Sequence, residues 1–464
     1  MIIAKIFSYQ IVSIIERFFA YVGADRSIVY TVVGRFWAFL SGVATLAFIV
    51  QFLSPVQQGY YYTFGSILGI QIFLDLGLSY VVMQFTSHEV AQLYLNADGT
   101  FDGDTRAKSR IASLLRYSMS WYSVVAILAI LILIPAGFLV FTSNPQGESV
   151  PWLIPWIWLV PVAIVGTLGL NPLLAIMEGC GFVADIALLR FSQALIGSLV
   201  LWFTLWHGYA LLSIAFFETS KLIVGCSWLF WRYKRTLFDL VSTPINSTSF
   251  NWWKEVWPLQ WKIALSAVSG YFVYQLFVPV LFASHQPVLA GQMGISLSVS
   301  MTILSVSMAW ISTKAAPFGS LIAKREYAEL DRVFFFSFQR SLILLVLNCL
   351  LFWGTIYYLN VIDHHVSQRF LSPLPLGLLL SAVVINHVVF AEAVYLRAHK
   401  QEPLLVTSIL MGTSMMFTTY FLGRSYGVIG MMAGYFVVML FFGLVASTWI
   451  FFRKRRLWHS INIV

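Results

Sequence analysis

Apolar runs long enough to cross a bilayer recur along this whole chain. A transmembrane helix needs about 20 consecutive, mostly apolar residues, and twelve segments meet that requirement. The predicted spans are residues 28–53, 59–83, 114–142, 152–177, 182–206, 209–231, 257–283, 287–312, 333–358, 371–395, 402–422 and 426–451. Only 10% of the residues are charged, against about 25% in soluble domains. The sequence therefore predicts an all-α polytopic membrane protein.

Basic residues lie almost entirely in alternate loops, and this predicts the orientation. If the N-terminus is cytoplasmic, the inner segments hold clusters such as those at 106–116, 232–235 and 453–456, whereas the outer loops hold only Arg369 and Arg424. The positive-inside rule then places both termini in the cytoplasm. Because this distribution accounts for the net charge of +9, we expect membrane lipids and not nucleic acid at the basic face.

A hydrophilic break divides the spans into two groups of six. We predict an amphipathic interfacial helix at 1–27, a six-helix bundle at 28–231, a cytoplasmic linker at 232–256, a second six-helix bundle at 257–452 and a basic cytoplasmic tail at 453–464. A weak internal echo supports the division, since SPVQQGYY follows the first span and SHQPVLAGQ follows the seventh. The expected architecture is two six-helix bundles.

Five cations interrupt the predicted spans and are candidate substrate-binding groups. A charge at the centre of a membrane helix costs about 2.5–3.5 kcal/mol, so each needs a partner, water or a nearby interface. At about 1.5 Å of rise per residue, all five lie about 8–15 Å from the cytoplasmic end of their span. They are Arg35, Arg190, Lys221, Lys262 and Arg340. Several are predicted to line one cationic cavity, and the alternative for each is a side chain that reaches the interface, above all for Lys262.

An aspartate also interrupts an apolar run, in IFLDLGLSYVVMQF at 72–85. Asp75 lies about 12 Å from the cytoplasmic end of the second span, level with Arg35. Three roles are open: an ion pair with Arg35 or another embedded cation, a site for proton or sodium coupling, or a carboxylate that reaches water. The ion pair is the leading prediction.

Other embedded acids are assigned by their spacing from the cations. Glu218 lies one helical turn before Lys221, which predicts a local ion pair. Asp185 precedes Arg190 by five residues, a poorer match for one helix face. Glu392 in the tenth span is a candidate for ion pairing or coupling. Arg35 and Arg340 have no acid within four residues and are the better candidates for binding an anion.

Motifs of soluble catalytic sites are missing from the sequence. No lysine follows a glycine, so there is no Walker A motif, and HExxH, GxSxG and CxxC do not occur. The predicted outer loops are short, the longest near 359–370, which leaves little room for an external catalytic domain. We therefore expect no enzyme activity of these kinds, no cofactor and no metal site.

Four segments carry a resemblance to a known family. They are GYYYTFGSILGIQIFLDLGLSYVVMQ (59–84), AIMEGCGFVADIALLRFSQAL (175–195), WWKEVWPLQWKIALSAVSGYF (252–272) and KAAPFGSLIAKREYAELDR (314–332). In this order on twelve spans, they resemble the oligosaccharide flippases of the polysaccharide transporter family, the Wzx-like members of the MOP superfamily that includes the MATE exporters and the lipid II flippase.

The resemblance implies a fold and a function. The fold would be two six-helix bundles around a cavity that opens alternately to each side of the bacterial inner membrane. The substrate would be a polyprenyl-diphosphate-linked oligosaccharide, a precursor of O-antigen, lipopolysaccharide, capsule or exopolysaccharide. Cavity arginines would receive the diphosphate, a role that Arg35, Arg190 and Arg340 could fill, and only Arg190 falls inside a quoted segment. Glycan polymerase and glycosyltransferases would be partners.

Two other functions compete with the flippase. A MATE-like cation-coupled exporter of small molecules or drugs would favour acidic groups in its cavity, and here the embedded cations equal or outnumber the acids. An integral membrane glycan polymerase or ligase is disfavoured by the short outer loops.

Overall fold

The computed structural model describes residues 26–75, 78–142, 150–244, 261, 265, 270–284, 286–399, 401 and 403–460. Within these ranges the chain is almost entirely helical, since hydrocarbon leaves backbone groups no other partners. The helices are α1 (Arg26–Phe52), α2 (Pro55–Leu68), α3 (Gln71–Asp75), α4 (Leu78–Val90), α5 (Thr105–Thr142), α6 (Leu153–Ile164), α7 (Asn171–Gly179), α8 (Val183–Trp206), α9 (Leu212–Ser242), α10 (Phe277–Ala283), α11 (Pro287–Ser312), α12 (Ala315–Ala323), α13 (Tyr327–Val361), α14 (Pro373–Ala398), α15 (Leu405–Val438) and α16 (Thr448–Ser460).

Five short elements interrupt or join these helices. A π-helical turn at Val165–Gly169 links α6 to α7, and another at Met439–Ser447 links α15 to α16. A 3₁₀ turn covers His365–Arg369, and two short strands, β1 (Leu93–Leu95) and β2 (Phe101–Gly103), pair antiparallel before α5.

The described part of the chain contains nine helices long and apolar enough to cross a membrane. This confirms the predicted all-α membrane protein, and α11 has the predicted bounds of 287–312. The predicted second span, 59–83, is not one continuous helix, because its residues are divided among α2, α3 and α4. Part of the predicted seventh span, at 257–260, 262–264 and 266–269, lies outside the described residues, and its described part shows helix at 270–274 and in α10.

The last of the nine long helices contains two predicted spans, 402–422 and 426–451. Gly427 has a φ of +60°, a conformation that favours glycine, so the helix breaks there. A Cβ on Gly434 would lie 3.0 Å from the Cβ of Thr418, and one on Gly430 2.6 Å from the carbonyl oxygen of Leu422. Because these pairs are symmetric about the break, the two segments form an antiparallel hairpin, as the two predicted spans require.

The helices group into two compact units that combine segments distant in sequence. The first is bounded by Met1–Phe52, Gly77–Ile134 and Leu153–Trp261, and the second by Leu53–Leu76, Pro135–Trp152 and Lys262–Val464. The segments at 53–76 and 135–152 thus group with the C-terminal part of the chain. The division into two six-helix bundles at 28–231 and 257–452 stays a prediction.

The predicted terminal and linker segments are described only in part. The interfacial helix at 1–27 lies outside the described residues except for the start of α1, and so does the linker from residue 245 to 256. The first part of that linker is helical, because α9 continues to Ser242. The basic residues at 453–456 belong to α16.

In the first unit, α1 and α9 both pack on α8. Trp202 of α8 donates its indole N–H to the hydroxyl of Thr45 at 2.9 Å and stacks on Phe48, with ring centroids 5.7 Å apart. A buried indole needs such a partner, because the alternative in hydrocarbon is an unsatisfied donor.

The hairpin formed by β1 and β2 is hydrogen-bonded to the end of α9 in the same unit. Asp239 accepts hydrogen bonds from the amide N–H of Phe101 at 2.9 Å and from the ammonium group of Lys108 at 2.8 Å. Thr236 donates to the carbonyl of Gly99 at 2.7 Å. Within the turn, hydrogen bonds from Thr100 to Asp98 lower the pKa of that carboxyl. Residues 93–103 therefore form a defined hairpin, which is followed by the first turns of α5.

In the second unit, α2 crosses α11 at glycines that allow the backbones to touch. A Cβ on Gly59 would lie 2.0 Å from the carbonyl oxygen of Pro287, and one on Gly291 2.8 Å from the amide nitrogen of Gly59. Gln58 donates to the carbonyl of Gly291 at 2.9 Å and to that of Arg369 at 3.1 Å. Small residues serve helix contacts in membranes in this way, because lipid provides no hydrophobic driving force between helices.

Aromatic rings complete the packing beside this crossing. Tyr60 and Phe141 both contact Phe282 edge-on, with centroids 4.7 Å and 5.3 Å apart, and Phe64 contacts Phe141 at 5.0 Å. Each edge-to-face pair adds about 0.5–1.5 kcal/mol beyond the area that it buries.

The start of α13 is bound to α16 through charged groups. Asp331 accepts hydrogen bonds from the guanidinium of Arg455, with Nε 3.0 Å away, and from the phenol of Tyr395 at 2.9 Å. The ring of His459 lies 3.6 Å from the same carboxylate.

The glycine crossing makes a stability prediction. Gly59→Ala is expected to destabilise the protein by about 1–3 kcal/mol, because the added methyl group overpacks the contact with α11. Gly65→Ala is the matched control, since it lies on the same helix and its Cβ would meet nothing within 4 Å. The control gains helix propensity and is expected to keep or raise stability. Thermal unfolding of the two purified variants in detergent measures the difference, and equal melting temperatures would contradict the crossing.

Candidate functional site

Arg190, one of the predicted binding cations, lies on α8, near the turn that joins α7 to α8. Its Nη2 lies 3.0 Å from Oε1 of Glu178, the last acid of α7. The arginine side chain is 58% exposed and the glutamate only 16%. Gly181, with a φ of +94°, turns the chain so that the two helices present these residues to each other. Arg190 is thus paired, yet much of its guanidinium remains accessible.

Asp185, the poorer sequence match for Arg190, has other partners. Its Oδ2 accepts a hydrogen bond from the phenol of Tyr233 and lies 3.4 Å from Nη2 of Arg232. Both partners come from α9, so the carboxylate joins α8 to α9.

Lys221 is paired locally, as its spacing predicts. Its ammonium group lies 2.9 Å and 3.0 Å from the two carboxylate oxygens of Glu218, and 4.8 Å from the ring centre of Phe217. Its backbone carbonyl accepts a hydrogen bond from Gln193 of α8 at 2.9 Å. A cation neutralised within one turn of its own helix is a weak candidate for an anion.

Arg35 and Arg340 are the candidates that have no ion-pair partner in the described part of the chain. Both side chains are exposed, Arg35 on α1 and Arg340 on α13, and no described carboxylate forms an ion pair with either. Arg340 lies over the ring of Phe336, with its guanidinium carbon 3.9 Å from the ring centre. Such stacking orients a guanidinium without neutralising it.

The structure gives less information about two further candidates, Lys262 and Asp75. Lys262 lies outside the described residues. Asp75 is the last residue of α3 and is half-buried. Its predicted ion pair with Arg35 stays a prediction.

The second embedded acid is enclosed in α14. Glu392 is 4% exposed, and its Oε2 has no hydrogen-bond partner among the described residues. One turn and a half earlier, His387 shares a hydrogen bond with the hydroxyl of Ser341 on α13. Both α14 groups are therefore held inside the second unit.

Sequence reasoning missed a neutral polar network in the second unit. Asn386 accepts a hydrogen bond from the phenol of Tyr274 at 2.6 Å and donates to that of Tyr435 at 2.7 Å. These groups carry no charge and are distant in sequence, so the search for embedded charges passed over them. The only available signal was an asparagine in the middle of an apolar run.

Each exposed arginine is suited to an anion, and the described residues offer no metal cluster. Within the described ranges, no cluster of three or more His, Cys, Asp or Glu side chains could hold a metal ion. Guanidinium groups suit phosphate because their planar N–H donors match its oxygens.

Solved structures with the same fold are MATE transporters. An inward-facing multidrug resistance MATE family transporter of the MOP superfamily matches with a TM-score of 0.68 and 13% identity, covering 92% of this chain and 96% of that chain. The MATE multidrug transporter DinF-BH matches at 0.54 and 11% identity, over 93% and 95%. MATE in the bent conformation matches at 0.52 and 13%, over 94% and 95%. No family model and no curated protein sequence matches the chain.

A double-mutant cycle tests how firmly Arg190 is held. We expect a coupling energy with Glu178 below about 1 kcal/mol, because more than half of the arginine side chain is exposed. Unfolding of wild type, Arg190→Ala, Glu178→Ala and the double variant in detergent gives this value. Lys221 and Glu218 provide a control cycle, expected near 0.2–0.5 kcal/mol for a pair on one helix. A coupling of several kcal/mol at Arg190 would mean that the pair is structural.

Proposed function

We propose that this protein is a flippase that moves a polyprenyl-diphosphate-linked oligosaccharide across the bacterial cytoplasmic membrane by alternating access. The fold shared with MATE transporters supports transport, and the resemblance of four segments to oligosaccharide flippases supports this substrate class. The positive charge of the embedded side chains is the reason for proposing an anionic substrate.

The supporting observation is an asymmetry between embedded cations and embedded acids. Arg35 and Arg340 are exposed without a described carboxylate partner, and Arg190 is more than half exposed. By contrast, the embedded acids Asp75 and Glu218 are half-buried, and Glu392 is buried. A charge within a span faces water or protein because lipid is too costly. The most exposed charged side chains within the predicted spans are therefore cationic, which suits a diphosphate.

The membrane potential could supply the energy. A diphosphate carries about two negative charges, and each charge that moves outward across an inside-negative potential gains about 2.3 kcal/mol per 100 mV. With all candidate cations in the half of the membrane nearer the cytoplasm, the substrate would be bound at the side from which it is loaded. The lipid tail would remain in the bilayer while the glycan crosses through water.

A second candidate function is the export of cationic small molecules coupled to an ion. Glu392 favours it, because a buried carboxylate oxygen without a described partner can take up a proton or a cation. Under this proposal the acid, and not the arginines, would determine transport. A glycan polymerase or ligase has no supporting observation in the described residues.

The flippase proposal predicts that Arg35→Ala and Arg340→Ala each reduce transport by about tenfold or more, because each removes a charged hydrogen bond to phosphate. Cells of the source organism that carry only the variant are compared for surface glycan and for lipid-linked oligosaccharide, extracted and measured by mass spectrometry. Accumulated lipid-linked oligosaccharide with the variant present in the membrane is the expected result.

Arg332→Ala is the matched control, since Arg332 is exposed but lies at the start of α13, before the predicted ninth span. Arg35→Lys keeps the charge and should retain partial transport. Normal surface glycan in the Arg35→Ala/Arg340→Ala double variant would remove these arginines from the mechanism. If a clean deletion left surface glycan intact but abolished efflux of a cationic dye such as ethidium, the exporter would replace the flippase.

A further inference from the structure

One sequence pattern occurs twice, at the ends of the sixth and the last predicted spans. SWLFWRYKR at 227–235 and TWIFFRKRR at 448–456 align without a gap. Each begins with a hydroxyl residue and tryptophan, continues with three large apolar residues, and ends with an arginine followed by further basic residues. The first closes the membrane part of α9 and the second forms the start of α16.

Both copies of the pattern line an open groove. The groove in the first unit has a volume of about 410 Å³ and is lined by Asp185, Leu188, Trp228, Trp231 and Arg232. The groove in the second unit has a volume of about 810 Å³ and is lined, among others, by Val445, Trp449, Phe452, Arg453, Arg456 and Leu457. Three positions therefore line both grooves: a tryptophan, a second aromatic ring three residues later, and the arginine after it.

The aromatic walls of both grooves are unusually accessible. Trp231 is 79% exposed and Trp449 is 62% exposed. Aromatic rings near the end of a membrane span normally anchor the helix at the boundary between headgroups and acyl chains. Anchoring alone does not explain a concave surface that also presents arginine.

The arginines of the second groove have no described ion-pair partner, whereas their neighbour Arg455 has one. Arg455 faces inward and is held by Asp331. Arg453 lies over the ring of Trp449, with its guanidinium carbon 5.3 Å from the ring centre, and no described carboxylate pairs with it or with Arg456. The helix thus uses one basic residue for packing and leaves two beside an aromatic wall.

We propose that these two grooves bind the headgroup of an anionic phospholipid. The two guanidinium groups of the second groove match the phosphate, and the aromatic and aliphatic side chains line the path of the acyl chains. Charge complementarity and the position at the basic end of a membrane span select a lipid over a soluble anion. This inference is independent of the transported substrate.

The first groove is the weaker site. Asp185 lines it and already forms an ion pair with Arg232, with Oδ2 and Nη2 3.4 Å apart. A headgroup phosphate there would share its arginine with a carboxylate, so the second groove should retain lipid more firmly.

Native mass spectrometry of the detergent-purified protein tests the proposal. The probe is an equimolar mixture of dioleoyl-phosphatidylglycerol and dioleoyl-phosphatidylcholine. Wild type should retain phosphatidylglycerol in preference, and Arg453→Gln/Arg456→Gln should lower that preference by about tenfold or more, because each basic residue at an anionic surface adds several-fold in affinity. Arg232→Gln should have a smaller effect.

Lys324→Gln/Arg332→Gln is the matched control. It removes the same charge from exposed residues at the same end of the second unit, without an aromatic wall. Equal losses in the control and the test variant would mean diffuse attraction and overturn the proposal. Equal retention of both lipids by wild type would also overturn it, as would loss of both lipids together. Melting temperatures without added lipid check that each variant is folded.

Discussion

Hydrocarbon offers no hydrogen bonds, and this constraint determines both the helices and the way they break. Every backbone N–H and C=O inside the bilayer needs a partner in the chain. Where the helices are irregular, a substitute is present: the π-helical turn at Val165–Gly169 keeps its backbone groups bonded, and Thr167 donates to the carbonyl of Ala163 at 2.7 Å. At Gly427 the chain reverses with a single residue of positive φ, so few polar groups are freed.

The same constraint explains why glycines mark the closest helix contacts. Between helices in lipid, packing and polar contacts must provide the attraction. The crossing of α2 and α11 uses the same pattern on both helices, Pro-Val-x-x-Gly, at Pro55–Gly59 and Pro287–Gly291. Each proline opens its helix and each glycine lies one turn inside, at the contact. Equivalent positions of a repeated segment therefore meet each other.

Helices and the ion pair within one helical turn could be predicted from the sequence, whereas ion pairs between different helices could not. Span length and hydropathy located nearly all the long helices, and one-turn spacing correctly paired Lys221 with Glu218. The carboxylate that binds Arg190 lies across a turn, where helical spacing gives no guidance. The pair Asp331 and Arg455 joins helices far apart in the chain.

The break in the second span also escaped prediction. The run at 59–83 is mostly apolar, so its hydropathy gives no sign of the turn that separates α2 from α3. The signal was a glycine: α2 ends before Gly69, where a Cβ would lie 3.1 Å from the carbonyl oxygen of Ser66 and 3.2 Å from the side chain of Gln275. A contact with a residue far along the chain thus selects glycine, and such a contact is invisible in the local sequence.

The embedded cations differ in what each could do for transport. A carrier must release what it binds, so a cation that is permanently neutralised contributes stability and one that stays accessible contributes binding. Lys221 belongs to the first kind, because its partner is on its own helix and cannot move away from it. Arg190 is intermediate, since its acid lies on another helix and a diphosphate could replace it. Arg35 and Arg340 belong to the second kind, because neither is paired with a described carboxylate that an anion would have to displace. If the protein carries an anion, binding therefore costs least at an arginine such as Arg35 or Arg340, and Arg190 becomes available only where Glu178 is displaced.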